Sequence, residues 1–189
     1  MSSHYFIGIP MPEHVRSWLQ DWQNELKEDL TYGVWTHKED FHITLKFMGA
    51  VEADKLPLLQ QYLEEITVSA FDMKVGELGH FGNPRQPRVI WAGAEKTDTL
   101  LTLQREVEQQ CERIGFPPEK RSYNPHVTLA KKWKGEKDLS QKLEEKYDHL
   151  NHSDRIIVDH FSLFKIHPKS QPKYEVVQRF PLQSNDEVE

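Results

Sequence analysis

The chain has 189 residues, of which 37% are hydrophobic and 29% charged, a balance typical of a folded globular protein with a sizeable core. Its formal net charge of −6 argues against a protein that binds a long nucleic acid through an extended basic surface, so a nucleic acid substrate is expected to be held at a small local site such as a strand end. A single cysteine, Cys111, excludes an internal disulfide framework and a multi-cysteine zinc site.

The first part of the chain predicts strands and helices in alternation. Residues 5–9 form a short apolar run that ends before Pro10, and such a run predicts a buried first strand. Over residues 13–29, apolar side chains recur at spacings of three and four, so this segment predicts an amphipathic helix. Residues 41–48 then predict a second strand, and a helix with Asp54 as its N-cap follows it.

The rest of the chain continues this alternation. Residues 71–78 and 88–94 predict an antiparallel pair of strands, and a helix beginning at Asp98 or Thr99 ends at Gly115. Four further elements complete the series: a strand at 126–133, a short helix at 139–147, one long strand over 155–164, and a closing strand at 173–182.

The order of these elements indicates two similar halves. The segment up to about residue 69 and the segment 71–132 share a strand-helix-strand character, as an internal duplication would produce. No stretch rich in Gly, Ser or Pro divides them, so we expect one bilobal domain over residues 1–183. The polar, acidic residues 184–189 are expected to form a frayed tail.

A four-residue phrase of His, β-branched apolar residue, Thr and Leu occurs twice, at residues 42–45 and 126–129. Side chains alternate faces along a strand, so each copy places its histidine and threonine together on one face. The same alternation turns the apolar residues, including Phe47, towards a core. Two such strands facing each other form a cleft that holds four polar side chains: His42, Thr44, His126 and Thr128.

Two histidines beside two hydroxyls suit acid–base chemistry on a phosphate. Histidine takes and gives a proton near neutral pH, so one imidazole activates water while the other protonates the leaving oxygen. The threonine hydroxyls donate hydrogen bonds to phosphate oxygens, and no metal is needed. Strict alternation also places Lys46 on the His42 face, where it adds positive charge.

These motifs resemble those of the 2H phosphoesterase superfamily, and within it the RNA 2′,3′-cyclic phosphodiesterase family, also called LigT-like or 2′-5′ RNA ligase family. The similarity includes residues 35–36, 41–49, 88–93 and 125–131, and it covers nearly the whole chain from residue 5 to 182. The resemblance implies an α+β fold. In that fold, pseudo-symmetric antiparallel sheets with outer helices form two lobes around a V-shaped cleft.

The resemblance also implies hydrolysis of a 2′,3′-cyclic phosphate to the 2′-phosphate without metal or cofactor. Carried over by position, His42 protonates the leaving 3′ oxygen, His126 activates water, and Thr44 and Thr128 bind phosphate oxygens. The residues alone leave the acid and base roles of the two histidines interchangeable. Where the family usually has arginine, this chain has Lys131, which keeps the charge but loses the bidentate fork.

Other candidate site residues carry a weaker signal. Strict alternation places Lys131 on the core face with Val127, so it must lie at a strand end to reach the cleft. Trp35, Phe41 and Tyr123 can stack a nucleobase, but core packing is the favoured role of each. Cys111 lies on an apolar helix stripe, which favours a core role. The remaining loop histidines show no metal-binding spacing: His37, His80, His149, His152, His160 and His167.

Three hypotheses for function follow from these residues and the resemblance. The first is a cyclic phosphodiesterase that acts on RNA ends or small cyclic nucleotides. The second is reversible 2′–5′ RNA ligation at the same site, and the third is a non-catalytic module that binds RNA ends. No apolar run approaches a membrane span and no signal-peptide pattern is present, so we expect a cytoplasmic protein without membrane contact. We also expect a monomer.

Overall fold

A computed structural model describes residues 2–187 and shows an α+β protein built on a mostly antiparallel sheet. The strands are Ser3–Pro10 (β1), Tyr32–Trp35 (β2), His42–Val51 (β3), Phe71–Asn83 (β4), Gln86–Ala94 (β5), His126–Trp133 (β6), Ser153–Val158 (β7), His160–Ile166 (β8) and Tyr174–Pro181 (β9). The helices are Glu13–Asp29 (α1), Leu56–Glu64 (α2), Asp98–Glu112 (α3) and the single turn Leu143–Lys146 (α4). The predicted fold class is confirmed.

The strands form one sheet in the order β7-β4-β5-β6-β3-β1-β8-β9, with β2 paired to β6. The sheet thus has two parts that meet where β3 pairs with β6. One contains β1 and β3 of the predicted first half with β8 and β9, and the other contains β4, β5 and β6 of the predicted second half with β7 and with β2 from the first. In the described part of the chain, β3 and β6 are registered at one residue pair, Ile43 with Val127. The sheet must also curl, because β7 and β8 lie near its opposite ends although Asp159 alone separates them along the chain.

The helices bury their apolar faces against this sheet, as their periodicity predicts. Helix α1 buries Val15, Leu19 and Leu26, each fully inaccessible to solvent. Helix α3 begins behind Thr97, whose side chain caps it by accepting the Leu100 N–H. Its apolar stripe includes Cys111, which is fully buried, so the prediction of a core cysteine is confirmed.

Four predicted elements differ from the structure. The helix predicted over 139–147 is reduced to α4, and the helix predicted to end at Gly115 ends at Glu112. Residues 155–164 do not form one strand, because β7 pairs with β4 in one half and β8 pairs with β1 in the other. The change of partner requires a break at Asp159, which local composition does not reveal. The N-cap of α2 is Lys55 rather than Asp54, since Pro57 in the first turn leaves the helix to begin at Leu56.

The predictions about domain division and the C-terminal tail are only partly covered by the described residues. Residues 185–187 form a short 3-10 turn, and Met1, Val188 and Glu189 lie outside the described residues. The single domain over 1–183 and the frayed tail over 184–189 stay predictions. Within residues 2–187, no helix has the length and apolar character required to cross a bilayer.

Candidate active site

The two histidine motifs line one cleft of about 450 Å³. The antiparallel pair Ile43–Val127 lies at the centre of the two motifs. Residues that flank an antiparallel pair lie across from each other, so His42 lies opposite Thr128 on the neighbouring strand, and Thr44 lies opposite His126. All four polar side chains line the cleft. The structure therefore brings together the four residues that the sequence singles out.

His42 is held by its own half of the sheet. Its Nδ1 lies 2.7 Å from the backbone carbonyl oxygen of Asp40, and its Nε2 lies 2.9 Å from the Thr44 hydroxyl. The ring packs against Phe6, with ring centroids 4.4 Å apart, and meets the edge of Tyr174 at 5.2 Å. A carbonyl only accepts, so Nδ1 carries the proton and Nε2 is the atom left for chemistry.

His126 is supported in the same way by the other half. Its Nδ1 lies 2.7 Å from the carbonyl oxygen of Asn124. Asn124 is two residues before His126, just as Asp40 is two residues before His42. Phe81 meets the ring edge-on at 5.0 Å, and Trp91 lies 5.9 Å away. Each histidine thus has a backbone carbonyl that fixes its tautomer and an aromatic residue that fixes its plane.

The surroundings favour the neutral form of both rings. Burial lowers the pKa of His42 to about 4. The bond to the Asp40 carbonyl opposes this shift, whereas the charge of Lys131, and that of His126 when it is protonated, add to it. Burial also lowers the pKa of His126. At neutral pH the free protein therefore holds two neutral imidazoles, each with an unprotonated Nε2. An anion bound between them favours the cationic form and raises these pKa values again.

The lowered pKa of His42 makes a prediction about acid stability. In an unfolded chain this group has its ordinary pKa of 6.5, so between about pH 6.5 and 4 the unfolded state binds more protons than the folded state. Stability therefore falls as the pH falls through this range, by up to about 3 kcal/mol from this residue. We expect urea unfolding at several pH values to show a shallower pH dependence for His42→Ala than for the parent. Equal slopes for the two proteins would contradict this assignment.

Both motif strands contain a β-bulge at the motif leucine. In β3, Thr44 pairs with Gly8 and Lys46 with Ile7, which leaves Leu45 as the extra residue. In β6, Thr128 pairs with Trp91 and Ala130 with Ile90, which leaves Leu129 as the extra residue. A bulge of one residue reverses the alternation of every side chain beyond it. The strands therefore present different faces before and after their leucines.

The bulges explain three departures from strict alternation. Lys131 lines the cleft with His126 and Thr128, because the bulge returns it to their face within β6. Phe47, predicted to face the core, is 62% exposed and also lines the cleft. Lys46, predicted to lie beside His42, turns inward instead and is only 7% exposed.

The predicted role of Lys46 in the cleft is therefore wrong. Its ammonium lies 2.7 Å from a carboxylate oxygen of Glu108 on α3 and donates to the carbonyl of Pro117 at 3.0 Å. Both members of this ion pair are largely buried, with side chains 6% and 12% exposed. Lys46 thus joins β3 to α3, and Glu108 neutralises its charge.

The two predicted stacking residues are divided between two cavities. Trp35 lines the histidine cleft, with the Lys27 ammonium 5.2 Å from its ring centroid. Tyr123 lines a neighbouring cavity, and its hydroxyl donates to the backbone carbonyl of Thr44 at 2.9 Å. That bond links the loop before β6 to β3, so Tyr123 also has a structural role.

Sequence reasoning missed four residues at this site. Asp40 is 4% exposed, and its carboxylate accepts the backbone N–H groups of Lys173 and Tyr174 at 2.8 and 3.2 Å. This contact brings the residues before β9 to the cleft, where both Lys173 and Tyr174 line it. Phe81 is the fourth. In the sequence, these four residues are marked only by their position near turns and strand ends. Such a position does not indicate which other residues they contact.

The remaining titratable groups do not assemble a second centre. His37 lines the cleft and accepts the Glu39 N–H at 3.1 Å, whereas His80 pairs with Glu144 and His149 with Glu25. Over residues 2–187, no group of three or more His, Cys, Asp or Glu side chains is placed to hold a metal ion. Acid–base chemistry between His42 and His126 is what the arrangement offers.

Comparisons with known proteins agree with this geometry. The family model for LigT-like phosphoesterases matches residues 9–91 and 93–174. A Bacillus subtilis (strain 168) protein named RNA 2′,3′-cyclic phosphodiesterase is 37% identical over 182 residues, covering 95% of this chain and 96% of the relative. A crystal structure from Thermus thermophilus superposes with a TM-score of 0.77 at 22% identity, covering 96% of this chain and 99% of its own. The crystal structure of E. coli LigT in complex with 3′-AMP superposes with a TM-score of 0.76 at 20% sequence identity, covering 96% of this chain and 99% of its own.

Proposed function

Because the chain belongs to the LigT-like phosphoesterase family, we propose that it hydrolyses 2′,3′-cyclic phosphate ends of RNA to 2′-phosphates without a metal ion. The observation that carries the proposal is the placement of two His-x-Thr pairs about the residue pair Ile43–Val127, around one cleft. A cyclic phosphate held there has one imidazole on each side. We also propose that the protein is a monomer and acts in the cytoplasm.

The reaction needs a base for water and an acid for the leaving oxygen. His126, neutral in the free protein, takes a proton from water through Nε2 as the water oxygen bonds to phosphorus. The bond from phosphorus to the 3′ oxygen breaks, and His42 gives that oxygen a proton. His42 must be cationic to do so, and the bound anionic phosphate favours that form. The products are a 3′ hydroxyl and a 2′-phosphate.

The hydroxyls and the lysine act on the phosphate oxygens. Thr44 and Thr128 flank the histidines and donate to the non-bridging oxygens, whose negative charge grows in the transition state. Burial lowers the pKa of Lys131, with Lys173 and Lys132 adding to the effect, and an anion in the cleft favours its charged form. Lys131 supplies a single ammonium where an arginine would supply two parallel donors.

The test is turnover of 2′,3′-cyclic AMP and of a short RNA with a 2′,3′-cyclic phosphate end, in the presence of EDTA. We expect EDTA-resistant formation of the 2′-phosphate, identified against the 3′-phosphate by chromatography. Incubating the cyclic-phosphate RNA with a 5′-hydroxyl RNA tests for 2′–5′ joining, in which the 5′ hydroxyl replaces water as the group that attacks phosphorus and the 3′ oxygen leaves. Tight binding of the RNA end without any turnover by folded protein would overturn the proposal and favour the binding module.

A further inference from the structure

We infer that the cleft has two arms that receive an RNA end in one direction. The terminal nucleobase enters a charge-balanced arm beside Phe47, and the preceding phosphodiester lies against Lys131 and Lys173 in the other. This inference rests on the proposed function and names its substrate class: an RNA end with at least one nucleotide before the cyclic phosphate. A nucleoside cyclic phosphate fills only part of such a site.

The arm beside Phe47, here called the base arm, is a second cavity of about 720 Å³. It opens directly from the catalytic centre, because Thr44, Phe47, Phe81 and His126 line both this cavity and the histidine cleft. Its other walls carry an aromatic ring and amides: Tyr123, Gln104, Gln109 and Asn124. A flat ring with polar edges, which describes a nucleobase, fits walls of this chemistry.

Phe47 is the clearest sign of a ligand in the base arm. Its side chain is 62% exposed although phenylalanine is usually buried, and the Leu45 bulge is what turns it outward. It stands at the junction of the two cavities. Stacking a base on an exposed aromatic ring removes both apolar surfaces from water, and contributes about 1–3 kcal/mol per base.

The two arms differ in charge. The base arm is lined by three cations and three carboxylates, including the buried pair of Lys46 with Glu108, so it offers no net attraction to a phosphate. The histidine cleft carries Lys131 and Lys173, and among the described residues neither has a carboxylate within ion-pair distance. Asp40, the acid that lines this cleft, is turned to backbone N–H groups. A phosphodiester is therefore stabilised in the cleft and not in the base arm.

The geometry of ribose assigns the direction. The base is attached beside C2′ and the 5′ chain leaves from beside C3′, so the two depart on opposite sides of a 2′,3′-cyclic phosphate. His42, which protonates the 3′ oxygen in the proposed function, lines the cleft but not the base arm, whereas His126 lines both. The C3′ side and the 5′ chain thus face Lys131 and Lys173, and the base faces Phe47.

The experiment compares three substrates that add one feature at a time. Glycerol 1,2-cyclic phosphate offers the phosphate alone, 2′,3′-cyclic AMP adds a base, and the dinucleotide ApA with a 2′,3′-cyclic end adds a phosphodiester. The variants are Phe47→Ala for the base arm and Lys173→Met for the cleft. Matched controls are Ile157→Ala, which removes a 78% exposed side chain on β7, and Lys169→Met, an exposed lysine in the loop before β9.

Lys173→Met is expected to lower kcat/KM about fivefold for the dinucleotide and by less than about twofold for the other two substrates. The salt dependence of log kcat/KM should be steeper for the dinucleotide by about 0.7, the value for one single-stranded phosphate contact, and Lys173→Met should remove that difference. Phe47→Ala is expected to lower kcat/KM about tenfold for both base-bearing substrates relative to glycerol cyclic phosphate.

Equal losses on all three substrates would overturn the two-arm assignment while leaving hydrolysis in place. A Lys173→Met effect no larger than that of Lys169→Met would overturn the cleft as the path of the chain. If the parent protein turns over none of the three, the proposed function itself fails, and the assignment of arms fails with it. The two failures are therefore distinguishable in one set of measurements.

Discussion

Replacing His42 with alanine is expected to lower kcat for a 2′,3′-cyclic phosphate by about 10³-fold, and replacing His126 by about the same factor. Each variant loses one positioned proton transfer, which is typically worth about 10²–10⁴ in rate. A backbone carbonyl bonded to Nδ1 holds each ring in place. A water molecule that fills the space left by the removed ring is not held at the position of Nε2 and does not replace it. Single-turnover rates on 2′,3′-cyclic AMP measure the effect.

The roles of the two histidines can be separated with a second substrate. Bis(4-nitrophenyl) phosphate has a leaving group that departs without a proton, so the loss of an acid matters little for it. We expect His42→Ala to lose far less activity on this substrate than on a cyclic phosphate, and His126→Ala to lose activity on both. The exposed His14 on α1 provides the control, His14→Ala, with unchanged rates. A His42→Ala protein with a tenth of the parent rate on cyclic phosphate would contradict the acid role.

Replacing Glu108 with alanine is expected to lower the free energy of unfolding by about 3–5 kcal/mol. The change removes the carboxylate 2.7 Å from the Lys46 ammonium and leaves that cation 6% exposed without a counter-charge. Coulomb attraction no longer offsets the cost of desolvation. The carbonyl of Pro117 accepts one of the three ammonium protons, which does not compensate for a missing charge. Urea denaturation at about pH 7 measures the loss.

Two further variants show whether burial is the cause. Glu65→Ala removes an ion pair with Arg113 whose side chains are 48% and 43% exposed, and it should cost less than about 1 kcal/mol. Removing both charges of the buried pair, in Lys46→Met/Glu108→Leu, should recover most of the stability lost in Glu108→Ala. A double variant as unstable as the single one would show that packing, not charge, determines the effect.

The sequence predicts those features that depend on local pattern. The periodicity of residues 13–29 predicts α1 with both boundaries correct, and the repeated His-x-Thr phrase predicts which four polar side chains meet. The antiparallel pair at β4 and β5 also follows from alternation alone. In each case the relevant contacts are between near neighbours, or between two copies of one pattern.

The failures have a different physical origin. Strict alternation places Lys46 and Phe47 on the wrong faces because one inserted residue, Leu45, has no signature in composition. Asp40 bonds Lys173 and Tyr174 from more than 130 positions away, and no local rule links them. Long-range backbone contacts and one-residue register shifts are set by the assembled sheet. These contacts and shifts determine which residues surround the two histidines and two threonines, whereas the repeated motif determines those four residues themselves.

At the seam between the two parts of the sheet, where Ile43 pairs with Val127, the orientation of the two imidazoles and their spacing depend on different contacts. The orientation of each imidazole is fixed within its own half, by a carbonyl two residues earlier. The spacing between the imidazoles is fixed elsewhere, by this seam and by the bond from the Tyr123 hydroxyl to Thr44. The orientation of each ring and the distance between the rings therefore depend on different contacts. A substitution that loosens the seam, such as Tyr123→Phe, is expected to change the distance between the imidazoles while both Nδ1 bonds are kept.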